Sequence, residues 1–141
     1  MAAPTAPPSA PAAPARRRRR ALPVLLLVLL LLVALGALYV WGTLQYSYAS
    51  GERAGYVQKF SRKGWVCKTW EGELAMVNLP GTMPQIFPFT VRDAAVAASI
   101  ERTMGQQVAL HYEQHKGVPT SCFGETEYFV TGVRPVQKPL L

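Results

Sequence analysis

Five consecutive arginines, at 16–20, are followed by 24 residues without a charged side chain, at 21–44. As an α-helix rising 1.5 Å per residue, the uncharged segment is about 36 Å long, and the hydrocarbon core of a bilayer is about 30 Å thick. Secretory signals have shorter apolar regions, of about 7–15 residues. The segment therefore predicts a transmembrane helix at 21–44 that remains in the mature protein.

Cleavage of this segment is the alternative, because Ser47-Tyr48-Ala49 has the small-x-small pattern of signal cleavage sites. The bulky side chains of Tyr46 and Tyr48 and the length of the apolar run favour retention. Aromatic side chains of the kind that lie at bilayer interfaces surround the end of the run. These are Tyr39, Trp41, Tyr46 and Tyr48.

The arginine block predicts the orientation, because positive charge flanking a membrane helix stays on the cytoplasmic side. The block consists of Arg16, Arg17, Arg18, Arg19 and Arg20. We expect an N-terminus in the cytoplasm and an exported C-terminal domain; in a bacterial cell these correspond to an inner-membrane helix and a periplasmic domain. Outside the block the chain has ten basic and eight acidic residues, a net charge of +2 (10 − 8). Such a small net charge does not indicate a nucleic-acid partner.

Five domain segments follow from composition. They are a disordered, Ala/Pro-rich tail with the arginines at 1–20, the helix at 21–44, a linker at 45–52, a folded domain at 53–136 and a tail at 137–141. A proline-rich docking peptide is the alternative for the first tail.

The folded domain alternates β-forming segments with one alanine-rich helix, in the order β-β-β-α-β-β. The predicted strands are 53–60, 65–77, 85–91, 106–115 and 125–133, with turn-like SRKG at 61–64. Gly72 predicts a bulge or bend in the long second strand. This order is that of the OB-fold, a five-stranded, partly open barrel. An antiparallel sheet packed by one helix is the alternative.

The helix between the third and fourth strands carries cap signals at both ends. Thr90 and Asp93 form an imperfect capping box, and Gly105 is a candidate for the C-terminal cap. The sequence therefore predicts a helix that begins near Thr90.

Cys67 and Cys122 are the two cysteines of the chain. An oxidising compartment favours a disulfide between them, and closing so long a loop stabilises a small domain by roughly 4 kcal/mol on the chain-entropy argument. A redox or metal pair is the alternative, but the cysteines lack C-x-x-C spacing.

One constellation resembles a metal site: His111, Glu113 and His115 alternate along the fourth strand. On an extended strand the two histidines are about 13 Å apart and cannot share one ion. A solvated outer face is the interpretation we favour, so neither a metal nor a cofactor is predicted. Glu71 and Glu73 alternate similarly and are either paired carboxylates or the wet side of a barrel.

A binding surface is predicted where OB-folds bind their ligands, in the loops after the first and fourth strands. Basic residues and aromatic side chains in or near these loops suit an envelope protein or an anionic glycan or lipid. The residues are Arg62, Lys63, Trp65, Lys116 and Phe123. For Trp65 and Trp70, burial in the barrel is the interpretation that we favour, and stacking against a ligand is the alternative.

The stretches GERAGYVQKFSRKGWVCKTWEGELAM and LHYEQHKGVPTSCFGETEYFV resemble a group of small, uncharacterised proteobacterial membrane proteins. Such sequences sometimes carry the label 6-phosphogluconate dehydrogenase. That reaction requires a glycine-rich dinucleotide-binding fingerprint, which this sequence lacks, so a dehydrogenase is not predicted. The topology is similar to that of the haem chaperone of cytochrome c maturation, a single-pass protein with an exported OB barrel.

Two function classes follow. The first is a non-enzymatic, membrane-anchored periplasmic domain that binds an envelope partner or supports a membrane complex. The second is an envelope enzyme or a haem- or metal-handling factor that uses the strand face of His111, Glu113 and His115.

Overall fold

The computed structural model describes residues 3, 5 and 16–137. Two predictions concern residues outside the described ones. They are the disorder of the proline-rich tail, except at residues 3 and 5, and the tail after Gln137. The side chains of Arg16–Arg20, to which we assign the topology signal, also lie outside them.

The first element is one long apolar helix, α1 (Arg16–Gln45). Its segment Ala21–Gln45 has a mean hydropathy of 3.0 and is long enough to cross a membrane. The predicted apolar helix is thus confirmed. The chain forms two units, 1–38 and 39–141, so the last seven residues of α1 belong to the second unit.

The second unit contains five strands and one short helix, in the predicted order. The elements are β1 (Ala49–Lys63), β2 (Thr69–Met76), β3 (Ile86–Val91), α2 (Ala94–Arg102), β4 (Gln107–Gln114) and β5 (Tyr128–Pro135). The strands form a closed barrel in the order β1-β2-β3-β5-β4. All neighbouring strands are antiparallel except β3 and β5, which run parallel and pair at Thr90 and Phe129.

Strand β1 is long because it serves two neighbours. Residues 49–56 pair with β4, residues 55–63 pair with β2, and the register shifts between Val57 and Lys59. At Gly55, where both partners meet, an added Cβ would lie 2.1 Å from the Ala75 carbonyl oxygen, so a side chain there does not fit.

Two predicted boundaries around β1 are therefore wrong. The predicted linker at 45–52 is reduced to Tyr46–Tyr48, because β1 already begins at Ala49. The segment 61–63, predicted as part of a turn, continues β1 and pairs with residues 69–71 of β2.

The core lies inside the barrel and beneath α2. Its fully buried side chains are Leu74, Phe89, Val91, Ile100, Val108, Leu110 and Val130. Gly72, predicted to mark a bulge or bend, instead makes room for an aromatic ring: an added Cβ would lie 2.4 Å from Phe89 Cζ. The register shift that was expected there lies on β1.

Helix α2 begins later than predicted. Its N-cap is Asp93, whose carboxylate accepts a 2.7 Å hydrogen bond from the Ala95 N–H. Thr90 is not the cap, because it is a buried residue of β3. The helix ends at Arg102 with Thr103 as its C-cap, two residues before the predicted Gly105.

Candidate functional site

The predicted disulfide is present and joins two loops of the barrel. Cys67, in the turn at 64–68 between β1 and β2, is bonded to Cys122, in the loop at 115–127 between β4 and β5, with the two Cα atoms 4.8 Å apart. We call these two segments the disulfide-linked loops. The bond holds the middle of the longer loop against the β1–β2 turn.

The tip of the β1–β2 turn displays two apolar side chains to solvent. Trp65 is fully exposed and Val66 is 94% exposed. Gly64 has φ +132°, and an added Cβ would lie 1.7 Å from the Cys67 carbonyl oxygen, so the turn requires glycine. The predicted strand start at Trp65 is wrong, because β2 begins at Thr69. The predicted burial of Trp65 is also wrong, because its side chain is fully exposed.

Basic side chains surround this tip. The Arg62 guanidinium lies over the Trp70 ring, 5.0 Å from its centre. Lys63 Nζ lies 3.7 Å from a carboxylate oxygen of Glu125. Lys68, at the other end of the turn, is exposed.

Two surface depressions flank the tip. The first, of about 310 Å³, is lined by Lys63, Trp65, Val66, the disulfide and Glu125. The second, of about 160 Å³, is lined by Lys68, Trp70, Arg92, Cys122 and Phe123. Basic, aromatic and apolar side chains thus occur together around the disulfide.

The structure therefore brings together four of the five predicted binding residues: Arg62, Lys63, Trp65 and Phe123. Lys116 is elsewhere, with its Nζ 4.0 Å from the ring centre of Tyr48, which precedes β1. Sequence reasoning missed Val66, Lys68 and Arg92. The first two could have been found by treating the whole turn after Lys63 as one exposed segment.

Glu71 is buried, which no pattern in the sequence indicates. Its Oε1 accepts hydrogen bonds from the Thr69 hydroxyl (2.7 Å) and the Glu125 N–H (3.1 Å), and its Oε2 accepts one from the Thr90 hydroxyl (2.7 Å). The Thr126 N–H in turn donates to the Thr90 hydroxyl oxygen at 3.2 Å. The carboxylate thereby holds the end of the β4–β5 loop against β2 and β3.

Glu73 differs from Glu71 in its surroundings. It is half-exposed and forms a 3.3 Å ion pair with Lys59. Glu71 and Glu73 are therefore not a pair of carboxylates that share one site. Of the two, only Glu73 lies on a solvated face of the barrel, as predicted.

His115 is buried, so the predicted solvated face does not extend to it. Its ring packs edge-on against Phe129. Nδ1 lies 3.2 Å from the Thr43 carbonyl oxygen in the last turns of α1, and that contact requires a proton on Nδ1. Nε2 lies 3.4 Å from a Glu113 carboxylate oxygen.

His111 is exposed and lies beside an ion pair. The Arg134 guanidinium donates a 2.6 Å hydrogen bond to Glu52 and lowers the pKa of that carboxyl, and Glu52 raises the pKa of Arg134. Among the residues that the structure describes, no group of three His, Cys, Asp or Glu side chains is arranged to hold a metal.

The two histidines give a matched pair of variants. We expect His115→Ala to lower the free energy of unfolding by about 2 kcal/mol. The variant removes a buried ring and leaves the Thr43 carbonyl oxygen and the Glu113 carboxylate without the ring nitrogens that they contact. We expect His111→Ala to change it by less than about 0.5 kcal/mol. Chemical unfolding of the full chain in detergent measures both. Equal effects, or a stoichiometric metal that His111→Ala removes, would contradict this assignment.

A family model described as Domain of unknown function (DUF8785) matches residues 46–139, about two thirds of the chain. The match begins just after α1 and includes the whole barrel and both disulfide-linked loops. No curated protein matches the chain.

Proposed function

We infer that this chain, which belongs to the DUF8785 family, is a non-enzymatic, membrane-anchored binding protein of the bacterial envelope. In this proposal α1 spans the inner membrane, the barrel lies in the periplasm and the disulfide-linked loops bind an anionic partner. That partner is an envelope protein, glycan or lipid, or a component of a membrane complex.

The orientation has two independent supports. The arginine block favours a cytoplasmic N-terminus. The Cys67–Cys122 disulfide suits an oxidising compartment such as the periplasm. Both favour a barrel on the exported side of the membrane.

The topology supports an OB-like barrel. The strand order β1-β2-β3-β5-β4, with one helix between β3 and β4, suits that fold. In OB-folds the loops after the first and fourth strands flank the ligand-binding face. These are the two loops that the disulfide joins here.

The observation that carries the proposal is the exposure of Trp65 and Val66 beside Arg62, Lys63 and Lys68. Tryptophan and arginine are enriched at the centres of binding interfaces. Exposing a tryptophan to water has no benefit for folding, since burial of its ring would be favourable. The basic side chains indicate an anionic partner.

The buried ionisable groups support binding in preference to chemistry. Glu71 is occupied by three hydrogen-bond donors, and both ring nitrogens of His115 face protein oxygen atoms. These side chains are therefore used to hold loops and α1 in place.

Site-specific photocrosslinking in intact cells tests the proposal. A benzophenone amino acid at Trp65 should form adducts with an envelope component upon irradiation. The same amino acid at Leu79, an exposed apolar residue of the β2–β3 loop, is the matched control and should form at least several-fold fewer. Equal adduct yields at both positions would refute the assignment of the binding surface.

A further inference from the structure

We propose that the partner is the lipid bilayer itself: Trp65 and Val66 insert among anionic phospholipid headgroups while Arg62, Lys63 and Lys68 bind the lipid phosphates. This inference rests on the proposed function and identifies its partner. The β1–β2 turn would thus be a second membrane contact, in addition to α1.

The side chains at the tip suit the interfacial region of a bilayer. Tryptophan favours this region, because its ring is apolar and its indole N–H remains hydrated. Val66 is apolar and almost entirely exposed. A tip of two residues is small for a protein interface, whose core normally contains many more buried side chains, but it is large enough to enter a headgroup layer.

The charge around the tip also suits an anionic bilayer. Arg62, Lys63, Lys68 and Arg92 are basic and exposed, and Glu125 is the one acidic side chain that lines either depression beside the tip. Each basic side chain near an anionic membrane contributes about 1 kcal/mol of attraction. Glu125 already contacts Lys63, and these five side chains together carry a net charge of +3 (4 − 1).

Contacts with the end of α1 place the other part of the disulfide-linked loops near the membrane. The Tyr39 hydroxyl donates a 3.1 Å hydrogen bond to the Gly117 carbonyl oxygen, and Lys116 lies over Tyr48. Tyr39 belongs to the segment that is apolar enough to span a bilayer. If α1 spans the membrane with Tyr39 at its interface, as tyrosines near the ends of membrane helices favour, Gly117 lies close to the membrane surface.

The disulfide limits how far the tip can lie from that surface. Cys122 lies five positions after Gly117 in the sequence, and five Cα–Cα steps span at most about 19 Å of extended chain. The Cα atoms of Cys122 and Cys67 are 4.8 Å apart, and two further residues lead to Trp65. The covalent path from Gly117 through the disulfide to Trp65 is thus about 30 Å at most, and the tip cannot lie farther than this from Gly117.

Quenching of tryptophan by brominated lipids tests the inference on the full chain reconstituted in vesicles. The emission of Trp65 is obtained as the difference between the wild-type chain and the Trp65→Phe variant, since Trp41 and Trp70 also emit. In vesicles containing phosphatidylglycerol we expect this emission to shift to the blue and to be quenched by bromine on the upper acyl carbons. In pure phosphatidylcholine we expect neither change.

Matched charge variants test the role of the basic side chains. Neutralising Arg62, Lys63 and Lys68 to glutamine should weaken insertion by about fivefold for each residue. Neutralising Lys59, Arg102 and Arg134 to glutamine changes the net charge equally and should leave the quenching unchanged. Thermal unfolding shows whether both triple variants retain their fold.

The possible failures are distinguishable. Unquenched Trp65 emission in anionic vesicles, together with protein adducts in the crosslinking experiment, would overturn the lipid inference and leave the proposed function standing. Loss of both signals would overturn both. Equal quenching in neutral and anionic vesicles would overturn the recognition of headgroup charge.

Discussion

Replacing both Cys67 and Cys122 with serine is expected to lower the free energy of unfolding of the barrel by about 4 kcal/mol. The bond joins residues 55 positions apart in the sequence, and its loss restores the conformational entropy of the closed loop to the unfolded chain. Net stabilities of small domains are about 5–15 kcal/mol, so the change removes a large part of the total. Chemical unfolding of the full chain in detergent measures it.

Two controls make the disulfide result interpretable. The wild-type chain unfolded in the presence of a reductant should match the double serine variant, which excludes an effect of the serine side chains. A midpoint that neither treatment changes would contradict the prediction. Thiol alkylation of denatured, non-reduced protein from cells tests the orientation as well: we expect no labelling, and labelling of both cysteines would indicate a cytoplasmic barrel.

The order of elements was predictable because local patterns determine it. The alternating residues in β4, the alanine-rich α2 and the loop rich in proline and glycine after β2 each have a short-range signal. The length of β1 was not predictable in this way. It depends on pairing with both β2 and β4, and no pattern within the strand specifies two partners.

The candidate site was predictable in part for the same reason. The cysteine pair and the cluster of basic and aromatic residues near it are visible in the sequence, and the structure joins most of them. The burial of Glu71 and His115 is not visible there. Glu71 is covered by a loop more than 50 residues away, and His115 contacts Thr43 of α1 and Phe129 of β5. Charged and polar residues are usually exposed, so their sequence pattern predicted solvated faces.

Replacing Glu71 with alanine is expected to lower the free energy of unfolding by about 3 kcal/mol. The variant leaves the Thr69 and Thr90 hydroxyls and the Glu125 N–H without their acceptor, and a buried donor without a partner costs about 1–3 kcal/mol. Glu71→Gln keeps one acceptor oxygen and should cost about 1 kcal/mol. Glu73→Ala, two residues along the same strand, removes only an exposed ion pair and should cost less than about 0.5 kcal/mol.

Hydrogen exchange separates a local effect of Glu71 from general destabilisation. The N–H groups of Glu125 and Thr126 donate to Glu71 and Thr90 respectively, so they should lose protection in Glu71→Ala and keep it in Glu73→Ala. The hydrogen exchange of β4 amides that pair with β1 should change much less, because these amides do not contact the Glu71 carboxylate. If the Glu125 and Thr126 amides exchanged equally slowly in both variants, the disulfide and the other contacts of the β4–β5 loop would be sufficient to hold it. In that case Glu71 would be a buried side chain whose bonds do not position the loop.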